Sequence, residues 1–141
     1  MSIVDLYESS YHRNNMAHFS AIVNIALADG HINFNEESII KKFVKKLDIN
    51  TEEYKTILKN PSKYPIIPQN NIEDRLERLL DLFKITYSDH KIDDQESKLL
   101  MKYAIALGFN PEVAKVIIWK SIKLFEVNID VDEYSQILDI L

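Results

Sequence analysis

The sequence predicts an all-α protein of seven to eight helices, forming two pseudo-repeated helix-turn-helix halves. Three observations carry this expectation. Two glycines and four prolines among 141 residues leave few helix breakers. Apolar residues recur close to the 3.6-residue period almost throughout, and no stretch alternates as a strand would. Finally, a shift of sixty residues lays the chain on itself. It pairs Asp29 with Asp89, Ile32 with Ile92, Glu36 with Glu96, Lys42 with Lys102, Leu47 with Leu107, Asn50 with Asn110 and Glu52 with Glu112. Between these identities the chemistry is kept, as in Ile39/Leu99, Phe43/Tyr103 and Ile49/Phe109, and upstream in Phe19/Leu79, Ile22/Leu82 and Ile25/Ile85.

Length and composition bound the reading. A chain this long makes about one domain and buries roughly two-thirds of the surface its unfolded form exposes. With 46% hydrophobic and 28% charged residues it belongs to the globular class. The formal charge of −5 disfavours nucleic acid, whose binding relies on basic groups displacing phosphate counterions, and suits cations better. Absence of cysteine excludes disulfides, thiolate zinc sites and cysteine nucleophiles. No apolar run approaches ~18 residues and the first residues resemble no export signal. The expectation is therefore one domain over 1–141, cytoplasmic and without membrane insertion.

A short helix is expected from Ile3 to about Tyr11, and a second from Asn14 or Asn15 to Ala28, with Met16, Phe19, Ile22, Val23, Ala26 and Leu27 on one face. Gly30 stands where a left-handed C-cap residue belongs. Asn33 and Glu36 form a capping-box pattern ahead of Ile39, Ile40, Phe43, Val44 and Leu47. The opposite face, Lys41, Lys42, Lys45 and Lys46, reads as solvated lysines suited to a helix C-terminus rather than as a basic docking patch. Asn50 and Glu53 repeat the capping pattern before a short helix reaching Leu58. The first repeat thus covers about 14–59. Three prolines, Pro61, Pro65 and Pro68, make residues 60–70 an extended connector, pinned by Tyr64, Ile66 and Ile67.

The second repeat, about 71–125, opens with Asn70 or Asn71 capping a helix that faces inward through Ile72, Leu76, Leu79, Leu80, Phe83 and Tyr87. Asp93 and Glu96 cap the next helix, which Gly108 ends. Asn110-Pro111-Glu112 is a start signal, N-cap followed by proline at the first helical position. Val113, Val116, Ile117 and Trp119 are expected on the buried side of the helix that follows. Asp130 and Glu133 then head a last helix, about 130–141, with Val131, Tyr134, Ile137, Leu138 and Leu141.

The duplicated acidic turn is the part able to carry chemistry. Asp29-Gly30 to Glu36 matches the second half of a calcium-binding EF-hand loop, glycine and terminal glutamate included. The first half fails, because Ile25 and Leu27, or Ile85 and Tyr87, fall where oxygen ligands are needed. An EF-hand is rejected on that ground. If the copies pack around an approximate two-fold, Asp29, Glu36, Asp89 and Glu96, with Asp93 and Asn33, make a hard oxygen site for calcium, magnesium or manganese. Capping alone accounts for Asn33, Glu36, Asp93 and Glu96. It does not account for Asp29 and Asp89, which follow a helix C-terminus, where the macrodipole disfavours negative charge.

On Ala28-Asp29-Gly30-His31-Ile32 with Glu36, and again Asp89, Ile92 and Glu96, the chain resembles the TerB-like domains. These are associated with bacterial tellurite resistance and related to the N-terminal region of some membrane-anchored DnaJ-type co-chaperones. The resemblance covers roughly residues 14–125. It implies an all-helical fold of two pseudo-repeats with acidic residues gathered at the turns, proposed to bind metal, and a role in stress response, metal resistance or scaffolding. His90 in place of the first copy's Gly30 departs from the pattern.

Enzyme chemistry finds no support. Gly30 and Gly108 cannot build a phosphate-cradling loop, and neither a metalloprotease His-Glu-x-x-His nor a nucleophile elbow occurs. His12 and His18 are scattered, and His31 and His90 read as exposed loop residues beside the acidic turns. The alternative to a metal module is an acidic helical adaptor, co-chaperone-like or immunity-like, that binds a protein without metal. Trp119 and Tyr64 are its first candidate contacts, although their spacing places both in the core.

Overall fold

The computed structural model describes residues 3–28, 30–86 and 94–125, and all regular structure among them is helical. Six helices result: α1 (Ile3–Ala26), α2 (Phe34–Lys46), α3 (Thr51–Lys59), α4 (Ile72–Thr86), α5 (Asp94–Leu107) and α6 (Pro111–Phe125). None is long and apolar enough to cross a membrane. The chain divides between Ile67 and Pro68, inside the proline-bearing connector, into two compact units. Among the described residues each unit holds three helices.

In the first unit α1 packs on α2 and α3. The expected break between a helix ending near Tyr11 and another starting at Asn14 or Asn15 does not occur, because nothing from Ile3 to Ala26 is glycine or proline. Asn15, read as an N-cap, lies inside α1 and is buried. Its Nδ2 donates to the Leu47 carbonyl at the end of α2, 3.4 Å away, a cross-helix use of a polar group that local pattern does not reveal. From Asn15 to Ala26 the helix is buried on nearly every side, with Phe19, Ile22 and Val23 wholly inside. Ser20 meets this burial by donating to the Met16 carbonyl, four residues back. From α2 the core takes Ile40 and Phe43, followed by Leu47 and Ile49, and from α3 Ile57, while the Tyr54 ring sits 5.9 Å from that of Phe19.

In the second unit α5 packs on α4 and α6. The last two turns of α4 are buried all round save Lys84, and Thr86 donates to the Leu82 carbonyl as Ser20 does to Met16. Leu79, Leu82, Phe83 and Ile85 of α4 and Leu100, Tyr103, Ala104 and Leu107 of α5 are buried in this unit. On α6 the buried side is Ala114, Ile117, Ile118 and Ser121. Val113, Val116 and Trp119 stand exposed, Trp119 by 59%, and Ile72 is exposed as well, so these four expected core positions are corrected. Val113, Val116 and Trp119 share the outward side of α6 with exposed Glu112, Lys115 and Lys123, so an apolar side chain there does not by itself mark the inward face. Tyr64 is half-buried. The helix expected at 130–141 lies outside the described residues.

Both units end their middle helix alike. Ile49 N–H donates to Val44 O at 2.9 Å and Phe109 N–H to Ala104 O at 3.1 Å, the six-to-one bond of a Schellman cap. The residue this cap needs in the left-handed region is Asp48 (φ 55) in one unit and Gly108 (φ 122) in the other. A Cβ on Gly108 would also come within 2.8 Å of Arg75 Nε. Arg75 is held there by donating to the Gln69 carbonyl, while Gln69 N–H donates to Leu107 O, fastening the connector to the end of α5.

Candidate functional site

The turn from α1 to α2 is built by local hydrogen bonding. Leu27 N–H donates to Val23 O, Ala28 N–H to Ile25 O and Gly30 N–H to Leu27 O, each near 3 Å. Gly30 takes φ 97, as expected of a residue terminating α1, and open space surrounds its missing Cβ, so backbone conformation alone requires glycine. Extended Asn33 (φ −82, ψ 174) then caps α2. Its Oδ1 accepts from Glu36 N–H at 2.8 Å, and Asn33 N–H donates to Glu36 Oε1 at 3.1 Å. The capping box read from the sequence is therefore formed, and Glu36 is 4% exposed.

Of the five residues expected to hold a cation, Glu36 sits in this cap and Glu96 is half-buried in the first turns of α5. Asp29, Asp89 and Asp93 lie outside the described residues, and with them the Asp93–Glu96 cap, Tyr87 and His90. Among the described residues no group of three or more His, Asp or Glu is gathered as a metal would require. His31 is exposed, and Phe34, first residue of α2, is 84% exposed beside the buried Glu36.

Three further caps agree with the sequence. Asn50 and Glu53 form a second complete box at the head of α3, with both bonds at 2.9 Å. Asn71 accepts from Asp74 N–H at 2.8 Å, and Asn110 accepts from Glu112 N–H at 2.9 Å with Pro111 as first residue of α6.

One ionic contact was invisible in the sequence. His12 on α1 lies 2.6 Å from Glu53 Oε2 on α3. Burial pushes the Glu53 carboxyl up, but the Asn50 N–H bond, the His12 hydrogen bond and the His12 charge outweigh it and leave Glu53 below its ordinary value. The partners stand 41 residues apart, beyond any local spacing rule.

No protein-family model matches the chain, and neither a curated protein nor a solved structure matches it.

Proposed function

We propose that the chain is a non-enzymatic, TerB-like binding module built from one three-helix unit used twice. The observation supporting this reading is the recurrence of local structure at the sixty-residue offset. Helices end at Ala26 and Thr86 and start at Phe34 and Asp94, then at Thr51 and Pro111. Left-handed residues fall at Asp48 and Gly108, and Asn50 and Asn110 cap the helix that follows. In this reading the two acidic turns are the functional feature. Asp29, Glu36, Asp89, Asp93 and Glu96 would offer only oxygen donors, fitting calcium, magnesium or manganese, in a cytoplasmic stress-response or metal (tellurite) resistance role. Asp29 and Asp89 are decisive, because capping does not explain them.

Calorimetric titration of chelator-treated protein with each of the three cations tests this. Saturable heat with a rise in melting temperature, both lost in Asp29→Asn/Asp89→Asn, is the expected result. Absence of heat and of any melting shift for all three would overturn the cation reading and leave the turns as helix caps.

A second reading, a metal-independent adaptor for a protein partner, is favoured by Phe34. An aromatic side chain so exposed contributes nothing to the core, and it stands in the same turn whose glutamate is already engaged.

A further inference from the structure

The outward side of α2 carries a pattern that neither packing nor capping accounts for. The helix buries Glu36, Ile40 and Phe43 and turns Lys41, Lys42, Lys45 and Lys46 to solvent. Lys45 and Lys46 lie in its last turn, where the macrodipole favours cations, but that effect does not reach back to Lys41 and Lys42. Nor does it concern Phe34. This ring is 84% exposed, and Lys41 and Lys45, farther along the helix, fall within about 20° of it around the axis. An aromatic and two lysines thus share one line about 16 Å long, with Lys42 and Lys46 flanking one side and Glu37 the other. Glu37 meets Lys41 at 3.3 Å, but both partners are well exposed and water screens the pair. Even with Glu37 and Asp48 among the exposed positions, the four lysines leave the face positive. The sequence alone assigned these lysines to a solvated face; exposed Phe34 in line with them is what the structure adds. Packing shared by the two units does not dictate the pattern, since α5 has Asp94, Met101, Lys102, Ile105 and Ala106 at the positions sixty residues on.

We propose that this face of α2 docks the chain onto an anionic phospholipid surface, with Phe34 at the headgroup level and the lysines against lipid phosphates and carboxylates. Four lysines along one side of an amphipathic helix form the cluster that a negative membrane surface attracts. The ring supplies the apolar contact that helices lying in an interface use. Residue choice separates lipid from protein as the partner. Protein interfaces favour arginine, whose planar fork grips carboxylates, and are depleted in lysine. A diffuse negative surface asks only for mobile point charges. Nucleic acid fits less well, because a formal charge of −5 lacks the basic surplus that such partners require. The contact is peripheral, since the apolar side of α2 is already buried in the first unit. It uses none of the five carboxylates assigned to a cation and so stands or falls apart from that reading, while it gives Phe34 to lipid where the adaptor reading gives it to protein.

Flotation of the full chain with phosphatidylcholine vesicles containing about 30% phosphatidylserine, against vesicles of phosphatidylcholine alone, tests this. Binding is expected to the first only, and should fall steeply as salt is raised to about 0.5 M. Lys41→Glu/Lys45→Glu should weaken it at least about thirtyfold, taking about fivefold for each lysine held at a negative surface. Phe34→Ala should weaken it severalfold and leave the salt dependence unchanged. Lys98→Glu/Lys102→Glu makes the same change of net charge at exposed lysines of α5 and should alter binding little. All of these side chains face solvent, circular dichroism checks that each variant is folded, and the lipid and salt comparisons need only the unaltered chain. Equal binding to both vesicles, no binding to either at low salt, or an equal loss in the α5 variant would overturn the proposal. So would tighter binding of a single- or double-stranded oligonucleotide that Lys41→Glu/Lys45→Glu abolishes, which would assign the face to nucleic acid.

Discussion

In the first unit a histidine on α1 and a glutamate on α3 meet at 2.6 Å; sixty residues on stand Ile72 and Val113, both exposed. The helix limits, left-handed caps and buried ladders of the two units nevertheless agree. Burial and backbone geometry therefore tolerate opposite surface chemistry at matching positions. The comparison teaches that the units agree in helix limits, caps and buried positions, whereas they differ in the side chains they expose. Their internal contacts also differ in emphasis, running from α1 in the first unit and from α5 in the second.

The harshest test of this comparison is in the cores. Ile22 and Leu82 are both wholly buried at matching positions. Ile22→Ala and Leu82→Ala should each cost about 2–5 kcal/mol in chemical denaturation, through lost transfer energy and the cavity left behind. If one packing solution is used twice, the two losses should agree within the roughly 2 kcal/mol spread that one chemistry shows at different sites. A large loss at one position beside a negligible loss at the other would break the equivalence.

The left-handed caps come next, and here the units should diverge. Gly108→Ala places a Cβ at a positive φ and against Arg75, and should destabilise by about 1–3 kcal/mol. Asp48 already accepts that backbone region, so Asp48→Gly should be neutral or stabilising by less than about 1 kcal/mol. Denaturation midpoints of the two variants decide this, and Gly108→Ala unfolding at the wild-type midpoint would remove the role given to the glycine.

Smaller again are the N-caps. Asn50→Ala and Asn110→Ala should each lose about 1 kcal/mol. Hydrogen exchange locates the effect, since Asn50 protects the Glu53 amide and Asn110 that of Glu112. Unaltered exchange at those amides would show that the caps are spectators.

The caps were legible because their signal is local: an asparagine, an acid three residues on, or a proline at the first helical position suffices. Asn33 with Glu36 and Asn50 with Glu53 formed as the sequence reading expected, and so did the glycine ends at Gly30 and Gly108. The N-terminal break was misread because an asparagine able to cap is not one obliged to; Asn15 bonds across to α2 instead. Trp119 was misplaced because the outward side of α6 mixes apolar Val113, Val116 and Trp119 with charged Glu112, Lys115 and Lys123. Within the candidate site the sequence identified Glu36 as a capping residue, but burial and the exposure of Phe34 beside it depend on neighbouring helices. The His12–Glu53 pair and the Arg75–Gly108 approach join distant residues and leave no mark in local spacing.

That pair supplies the finest probe of the difference between the units. Glu53 titrates below its ordinary value in the folded chain, so the stability it contributes is present above the unfolded value and is lost as pH falls through the folded one. Glu53→Gln removes ionisation while keeping a side-chain oxygen for the Asn50 N–H. The variant should be less stable than wild type by under about 1 kcal/mol near neutrality, the scale of a partly exposed pair. Because Glu53 and His12 keep some exposure, salt should shrink the difference. Denaturation of both proteins from about pH 6 down to about pH 3 should show the gap closing as the wild-type carboxylate takes up its proton. A gap constant across that range would mean that the glutamate acts here through shape and hydrogen bonding alone. The equivalent change in the second unit, Val113→Gln, carries no titrating group and should show no such closure, which makes it the internal control.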